Sequence, residues 1–307
     1  MKISVYITSY NKIQYINEAI NSVLDQSRSA DEIIIVDDGS KDGSREIISG
    51  YASRYPGKIK VIFNEKNLGI SKTRNIAISN CTGEIITFVD ADDYYFPMKI
   101  ETELELLRKT QYDCIYSNLI FVDEFSNENG CFADKEDHPV EGDLFIENFT
   151  RSFHVNSGSN FHNEMFYKSC AQEIGLYDEK IKIWEDWDFR IRMSKKYQYG
   201  YCPDVNSAYR KLENGLHNSV LGLHYREQMK VYKKNKHLLS DLEESEKRVI
   251  QNSIYAKLKK LIINIGRLNI SKKQYLRLII NCFQFIWVFQ SKKTLGFFYK
   301  ELFNNDA

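Results

Sequence analysis

An α/β fold with a mostly parallel sheet is predicted by three observations on this chain. Four short apolar runs of strand character recur before residue 90, a helical stretch separates each from the next, and each run ends in a polar, turn-forming cluster. The runs are Ile3–Ile7, Glu32–Val36, Lys60–Phe63 and Ile85–Val89, mainly Ile, Val and Phe. Continuous β-branched runs of this length suit strands buried on both faces. The stretches between them, Ile13–Gln26, Ser44–Arg54 and Ser71–Ser79, carry amphipathic patterns long enough for right-handed crossovers, so the runs read as parallel neighbours.

In such a sheet the ligand lies beyond the carboxyl ends of the strands, which directs attention to the residues just after each run. They are Thr8-Ser9-Tyr10-Asn11, Asp37-Asp38-Gly39-Ser40, the segment from Asn64 to Gly69, and Asp90-Ala91-Asp92-Asp93. Polar, anionic and turn-forming groups thus converge on one rim.

The 307 residues suffice for one large domain with an appendage, or for two domains. With 43% hydrophobic and 13% aromatic residues, a folded core rather than disorder is expected. Residues 115–209 are less regular, with a polar stretch at 123–143 read as a loop or lid, then Phe153–Phe166 and Trp184–Met193. The domain expectation is a catalytic unit over 1–224, divided into a ligand-binding half (1–110) and an acceptor half (111–224), followed by a helical region over 225–307.

Formal neutrality hides a polarity. Residues 225–307 carry 17 Lys and Arg against 7 Asp and Glu, which leaves 25 against 35 in residues 1–224. An acidic part suited to metal and carboxylate chemistry is therefore joined to a basic part suited to an anionic partner. The six cysteines (Cys81, Cys114, Cys131, Cys170, Cys202, Cys282) form neither a C-x-x-C pair nor a zinc-spaced cluster and read as reduced thiols. The apolar run after Met1 meets Thr8-Ser9 too soon for a signal-peptide core, so a cytoplasmic location is expected.

Asp90-Ala91-Asp92 at the end of a buried strand sets two carboxylates on adjacent loop positions, a hard-oxygen pair able to hold a divalent cation and the phosphates bound to it. A diphosphate leaving group develops negative charge that such an ion neutralises. In isolation the triplet also fits an Asp-rich surface turn; the strand before it favours the metal reading. Asp37-Asp38 follows another buried strand, with Gly39 for the tight turn. Asp38 is placed to accept the imide N–H of a pyrimidine base, and helix capping falls more naturally to Ser40 or Asp42.

These segments, Thr8-Ser9-Tyr10-Asn11, Val36-Asp37-Asp38-Gly39-Ser40, Asn67-Leu68-Gly69, Thr73-Arg74-Asn75 and Phe88-Val89-Asp90-Ala91-Asp92-Asp93, together resemble the inverting glycosyltransferase family 2. The resemblance is close over residues 3–100 and looser to about residue 220. It implies the GT-A fold, a Rossmann-like mixed sheet flanked by helices, here with a helical C-terminal extension. It also implies a nucleotide-sugar donor held by Thr8, Tyr10, Asn11, Asp37, Asp38, Asn67, Gly69, Arg74, Asp90 and Ala91, with Mn²⁺ or Mg²⁺ on Asp90 and Asp92. Thr8 departs from the Pro of many members, a change that leaves backbone contacts intact.

The same resemblance marks Trp184-Glu185-Asp186-Trp187-Asp188 as the counterpart of the family's E-D motif. Asp186 is the expected catalytic base and Glu185 its rival, because inverting displacement needs one carboxylate to take the acceptor hydroxyl's proton. Trp184 and Trp187 are candidate walls for an acceptor sugar, with core packing expected of at least one. His217 resembles a late histidine that serves some relatives as a metal ligand. Arg190 and Arg192 do not reproduce the Q-x-x-R-W element of processive members, so transfer of one sugar per acceptor is expected.

The run Leu276–Phe289 is too short and polar to span a bilayer, but its aromatics and flanking Lys and Arg suit an interfacial helix on anionic lipid. A helical pair packed on the catalytic domain or a second subunit is the alternative. The resulting expectation is an inverting, metal-assisted transferase that moves a sugar from a UDP-sugar to a hydroxyl of a glycan or lipid-linked saccharide, at the inner face of the cell membrane. Nucleic acid is not an expected partner, since no recognised module is present. The competing reading is a non-catalytic nucleotide-sugar-binding scaffold, which intact Asp90, Asp92 and Asp186 oppose. A nucleotidyltransferase or a NAD-dependent dehydrogenase is disfavoured because no Gly-rich phosphate loop follows the first strand.

Overall fold

The computed structural model describes residues 1–155, 161–212 and 221–271. The chain divides into two compact units, Met1–Gly215 and Leu216–Ala307.

In the first unit the early runs form β1 (Ile3–Ser9), β2 (Glu32–Asp37), β3 (Ile59–Phe63) and β4 (Ile85–Asp90), all parallel. Helices α1 (Ile16–Leu24), α2 (Ser44–Arg54) and α3 (Ile70–Asn80) make the crossovers. Then come β5 (Tyr94–Tyr95), α4 (Lys99–Lys109), β6 (Cys114–Val122) and β7 (Glu128–Cys131), followed by α5 (Phe145–Thr150), β8 (Met165–Tyr167), α6 (Lys168–Glu173), α7 (Glu185–Ser194) and β9 (Tyr199–Arg210). Among the described residues nine strands join one sheet in the order β3-β2-β1-β4-β8-β6-β9-β5, with β7 added to β6. The segment at 123–143 thus includes a strand as well as loop.

Each parallel strand feeds two cores by the period of two. Tyr6, Ile34, Val36, Ile86 and Phe88 pack on one face with Ala77 and Ile78 of α3 and Phe189 and Met193 of α7. Ile3, Val5, Ile7, Ile33, Ile35 and Val89 pack on the other with Ile16 and Ile20 of α1, Ile48 of α2 and Leu104 of α4. Burial on both faces is why these strands are almost unbroken Ile and Val.

Strand β8 pairs antiparallel with both β4 and β6, and β9 runs parallel to β6 with register shifts around Asn118. The two residues of β5 pair antiparallel with β9, Tyr94 opposite Ala208. The segment from Asp90, the last residue of β4, to Asp93 is therefore fixed at one end by the parallel sheet and at the other by β9.

The second unit contains α8 (Leu221–Asn235), a 3-10 turn (Lys236–Leu239) and α9 (Glu244–Ser271). On α9 the buried Ile250, Ile254, Leu258 and Ile262 fall at helical spacing, and the helix packs against α8. No helix among the described residues is long and apolar enough to cross a membrane. The expected interfacial segment at 276–289 lies outside the described residues, as does Cys282; the other five cysteines are free thiols.

Candidate active site

The period of two also separates the neighbouring aspartates after β2. Asp37 follows Ile33 and Ile35 onto the face of α1 and α2, and its side chain is fully buried. One oxygen accepts the Ser40 amide (3.0 Å) and Arg45 Nε (2.8 Å), and the other accepts the Ser40 hydroxyl. Of the expected nucleotide set, Asp37 is thus turned inward: it shapes the turn and has no side-chain surface to offer a ligand.

Asp38 falls on the opposite side, towards α3. Its carboxylate accepts Asn64 Nδ2 at 2.9 Å and the backbone amides of Leu68 (2.8 Å) and Gly69 (2.9 Å). Three of about four acceptor positions are used in ordering the loop before α3. Asn67 at the loop's exposed tip accepts the Gly69 amide at 3.1 Å.

Gly39 lets the two loops meet. Its φ is +84°, and a Cβ there would lie 2.7 Å from the carbonyl carbon of Lys66 and 2.8 Å from the nitrogen of Asn67. Gly39→Ala is expected to cost more than about 1 kcal/mol, from backbone strain and the displaced loop. Thermal denaturation checks this, since the melting temperature should fall.

Asn11, at φ 52°, fastens the first loop to the second. Its amide donates to Ser40 Oγ (2.8 Å) and its side-chain oxygen accepts the Lys41 amide (2.9 Å). Tyr10 beside it is 45% exposed, leaving its ring available to a flat ligand.

At the carboxyl end of β4, Thr8 Oγ1 donates to Asp90 Oδ1 at 2.7 Å, while Arg74 Nη2 reaches Oδ2 at 2.9 Å. Through Nη1 the same guanidinium holds Glu185 Oε1 at 3.0 Å. One buried arginine, sandwiched by Phe88 and Tyr177, thus joins two motifs 95 positions apart. Burial alone would raise the Asp90 carboxyl, but Arg74 and the Thr8 hydrogen bond hold it below the ordinary value.

Ala91 is buried, its amide donated to Thr8 O, so its side chain offers no ligand contact. Asp92 is partly exposed and meets Lys12 Nζ at 2.6 Å. Asp93 is buried, and desolvation with Asp92 and Asp90 nearby pushes its carboxyl well up. Arg210 clamps the loop: its amide donates to Asp93 Oδ1 (2.8 Å), Nε to Asp92 O (2.9 Å) and Nη1 to Asp123 O (3.0 Å), while Nη2 pairs with Glu18.

Among the described residues, no group of three or more His, Cys, Asp and Glu side chains gathers as a preformed metal cage. The donors still fit Mn²⁺ or Mg²⁺ of the kind held by one or two carboxylates plus substrate phosphates. Asp92 presents hard oxygens at the rim, and an ammonium already sits against them in the position of a cation. His217 lies outside the described residues.

Opposite stands the start of α7. Trp184 takes φ 68°, and the helix begins with Glu185. Asp186 Oδ1 accepts the Trp187 amide at 2.8 Å and Oδ2 accepts Arg190 Nη1 at 3.0 Å. Arg190 is itself gripped by the buried Glu164, through Nε at 2.9 Å and Nη2 at 3.0 Å. Burial opposes ionisation of Asp186, yet Arg190, with Arg74, outweighs it and holds the carboxyl down. Burial pushes the Glu185 carboxyl up to about 7 against the pull of Arg74. The two adjacent carboxyls thus have different settings: Asp186 is held by Arg190, and Glu185 anchors Arg74.

Trp187 is corrected from acceptor wall to core. It is 3% exposed and its indole donates to Asn148 O at 2.8 Å, because α7 is buried almost all round. Trp184 is half-buried and packs edge-on to Trp187, with the Arg151 guanidinium 4.4 Å over its ring. Asp188 is buried against Arg192 and supports the helix.

Lys12, His162, Glu164, Arg190 and Arg210 were not among the expected site residues. His162 stacks on Tyr209 at 4.4 Å, and burial with Arg190 lowers its pKa to about 4, so a neutral imidazole faces the carboxylates at neutral pH. Lys12 had a sequence signal, a cation directly after Thr8–Asn11; Glu164 had none.

Comparison with known proteins bears on this arrangement. A family model described as Glycosyl transferase family 2 matches residues 4–161, just over half the chain. An uncharacterized glycosyltransferase of Nostoc is 42% identical over 123 residues, 40% of this chain and 38% of that protein. An uncharacterized glycosyltransferase of Bacillus subtilis, YwdF, is 30% identical over 218 residues, 68% of this chain and 74% of that protein. The chain spans from 38% to 56% of the length of four of the curated relatives it matches. Among solved structures, residues 1–349 of S. aureus TarS in complex with UDP-GlcNAc superpose with a TM-score of 0.72 at 22% identity, covering 93% of this chain and 81% of that one. The likeness identifies the fold as GT-A.

Proposed function

Because the chain belongs to glycosyl transferase family 2, we propose that it moves a sugar from a UDP-sugar, with inversion, to a hydroxyl of a glycan or lipid-linked saccharide. The observation that carries this reading is the Arg74 bridge. It sets the rim that receives a diphosphate (Thr8, Asp90, Asp92) against the carboxylate pair of α7, Glu185 and Asp186.

In this reading Tyr10, Asn11, Asp38 and the loop 67–69 receive the nucleoside. Asp92, with Asp90 beside it, would hold a divalent ion, which would supply neutralisation of the charge on a departing diphosphate. Asp186, oriented by Arg190, takes the proton from the acceptor hydroxyl on the face opposite the leaving group. Neutral His162 is available to hydrogen-bond a sugar hydroxyl. UDP as the nucleotide draws support from the TarS complex with UDP-GlcNAc, and membrane-surface attachment from the excess of 17 basic over 7 acidic residues in 225–307.

The test is a screen of UDP-, GDP- and dTDP-sugars with Mn²⁺, reading nucleotide diphosphate released with and without acceptor glycans. UDP release is expected, and Asp92→Asn should remove its metal dependence. Turnover that is indifferent to chelators would remove the metal from the mechanism.

A further inference from the structure

The three acidic residues at the end of β4 and in the turn after it have different cationic partners. Asp90 is held by Arg74, whose side chain is only 7% exposed and reaches both its oxygens. Asp93 accepts the amide of buried Arg210. Asp92 meets a single amine, Lys12 Nζ at 2.6 Å, in a pair whose side chains are 24% and 21% exposed.

Both backbones of that pair are fixed. Lys12 donates its amide to Ser44 Oγ (3.2 Å), and its carbonyl accepts the amides of Tyr15 (3.0 Å) and Ile16 (2.9 Å) where α1 begins. Asp92 is held through its carbonyl by Arg210 Nε. What remains free to move is the four-carbon stem of the lysine, with one point contact at its end. Lys12 also lines an open cavity of about 400 Å³ with Asn11, Tyr15, Lys41 and Asp42, so there is space beside it.

An ammonium and a divalent ion repel each other, and Asp92 cannot hold both at full strength. We propose that Lys12 is an exchangeable counter-cation of the D-x-D motif. It neutralises and orients Asp92 in the free protein, competes with the divalent ion for that carboxylate, and once displaced offers its ammonium to the phosphates of the nucleotide. This rests on the metal-assisted reading above and assigns Lys12 as the residue that tunes it.

The test is Mn²⁺ binding by electron paramagnetic resonance, and UDP binding by calorimetry at saturating Mn²⁺, for the wild type, Lys12→Met and Lys12→Arg. Loss of a partly exposed pair predicts that Lys12→Met binds Mn²⁺ alone about two- to five-fold more tightly. Loss of a charged donor predicts about ten-fold weaker UDP binding. Lys12→Arg keeps the charge and should stay near wild type on both, and unchanged melting profiles check the fold. Unchanged or weaker Mn²⁺ binding by Lys12→Met, or undiminished UDP affinity, overturns the proposal while leaving metal use intact. Failure of the wild type itself to bind Mn²⁺, with or without UDP, overturns the metal reading and this one together.

Discussion

Arg74→Met should lower stability by about 3 kcal/mol and abolish detectable UDP binding. The substitution removes the cation paired with Glu185, 9% exposed, whose carboxyl must then take up a proton, and leaves Asp90 with Thr8 as its remaining hydrogen-bond partner. Breaking a buried pair costs about 3–5 kcal/mol; the lower end applies because Asp90 is 28% exposed and partly solvated. Arg74→Lys should recover part of the stability but little of the binding. A single ammonium cannot reach both Asp90 and Glu185 with the fork geometry that spans them. Denaturant unfolding of the two variants, paired with UDP calorimetry, separates the effects, and wild-type affinity in Arg74→Met would dissolve the link between the two motifs.

Asp186→Asn should leave UDP affinity within about two-fold of wild type and reduce transfer by about 10²–10⁴-fold, the usual weight of a positioned base. The amide keeps the size of the side chain but cannot accept a proton from the acceptor. Glu185→Gln makes the counterpart. If Glu185 anchors Arg74 rather than accepting the proton, its loss should weaken donor binding more than the transfer step. Single-turnover rates on preloaded enzyme distinguish the two variants; retained transfer in Asp186→Asn with loss in Glu185→Gln would exchange their roles.

The parallel half was legible because both faces of its strands are buried. The run Ile33-Ile34-Ile35-Val36, β-branched throughout, suits a doubly covered sheet, and the polar cluster after each strand follows from where that sheet ends. The second half was less readable for a topological reason: β8 is three residues long and inserts antiparallel between β4 and β6, a pairing that no local period announces. The site divides in the same way. Asp38, Asp90 and Asp186 stood out as carboxylates in motif context. Arg74 with Glu185, 111 positions apart, and Arg210 with Glu18, 192 apart, are contacts of the folded chain. Trp187 looked like Trp184 on paper; Trp187 lies within α7 with its indole in the core, while Trp184, in the left-handed residue before the helix, is left half-covered.

Asp38 grips its neighbouring loop chiefly by the peptide nitrogens of residues 68 and 69. Main-chain donors are indifferent to the side chain attached to them, so position 68 can change identity without releasing the grip, proline excepted. A descendant of this protein could therefore vary the side chain at position 68 while the loop keeps its hold on Asp38.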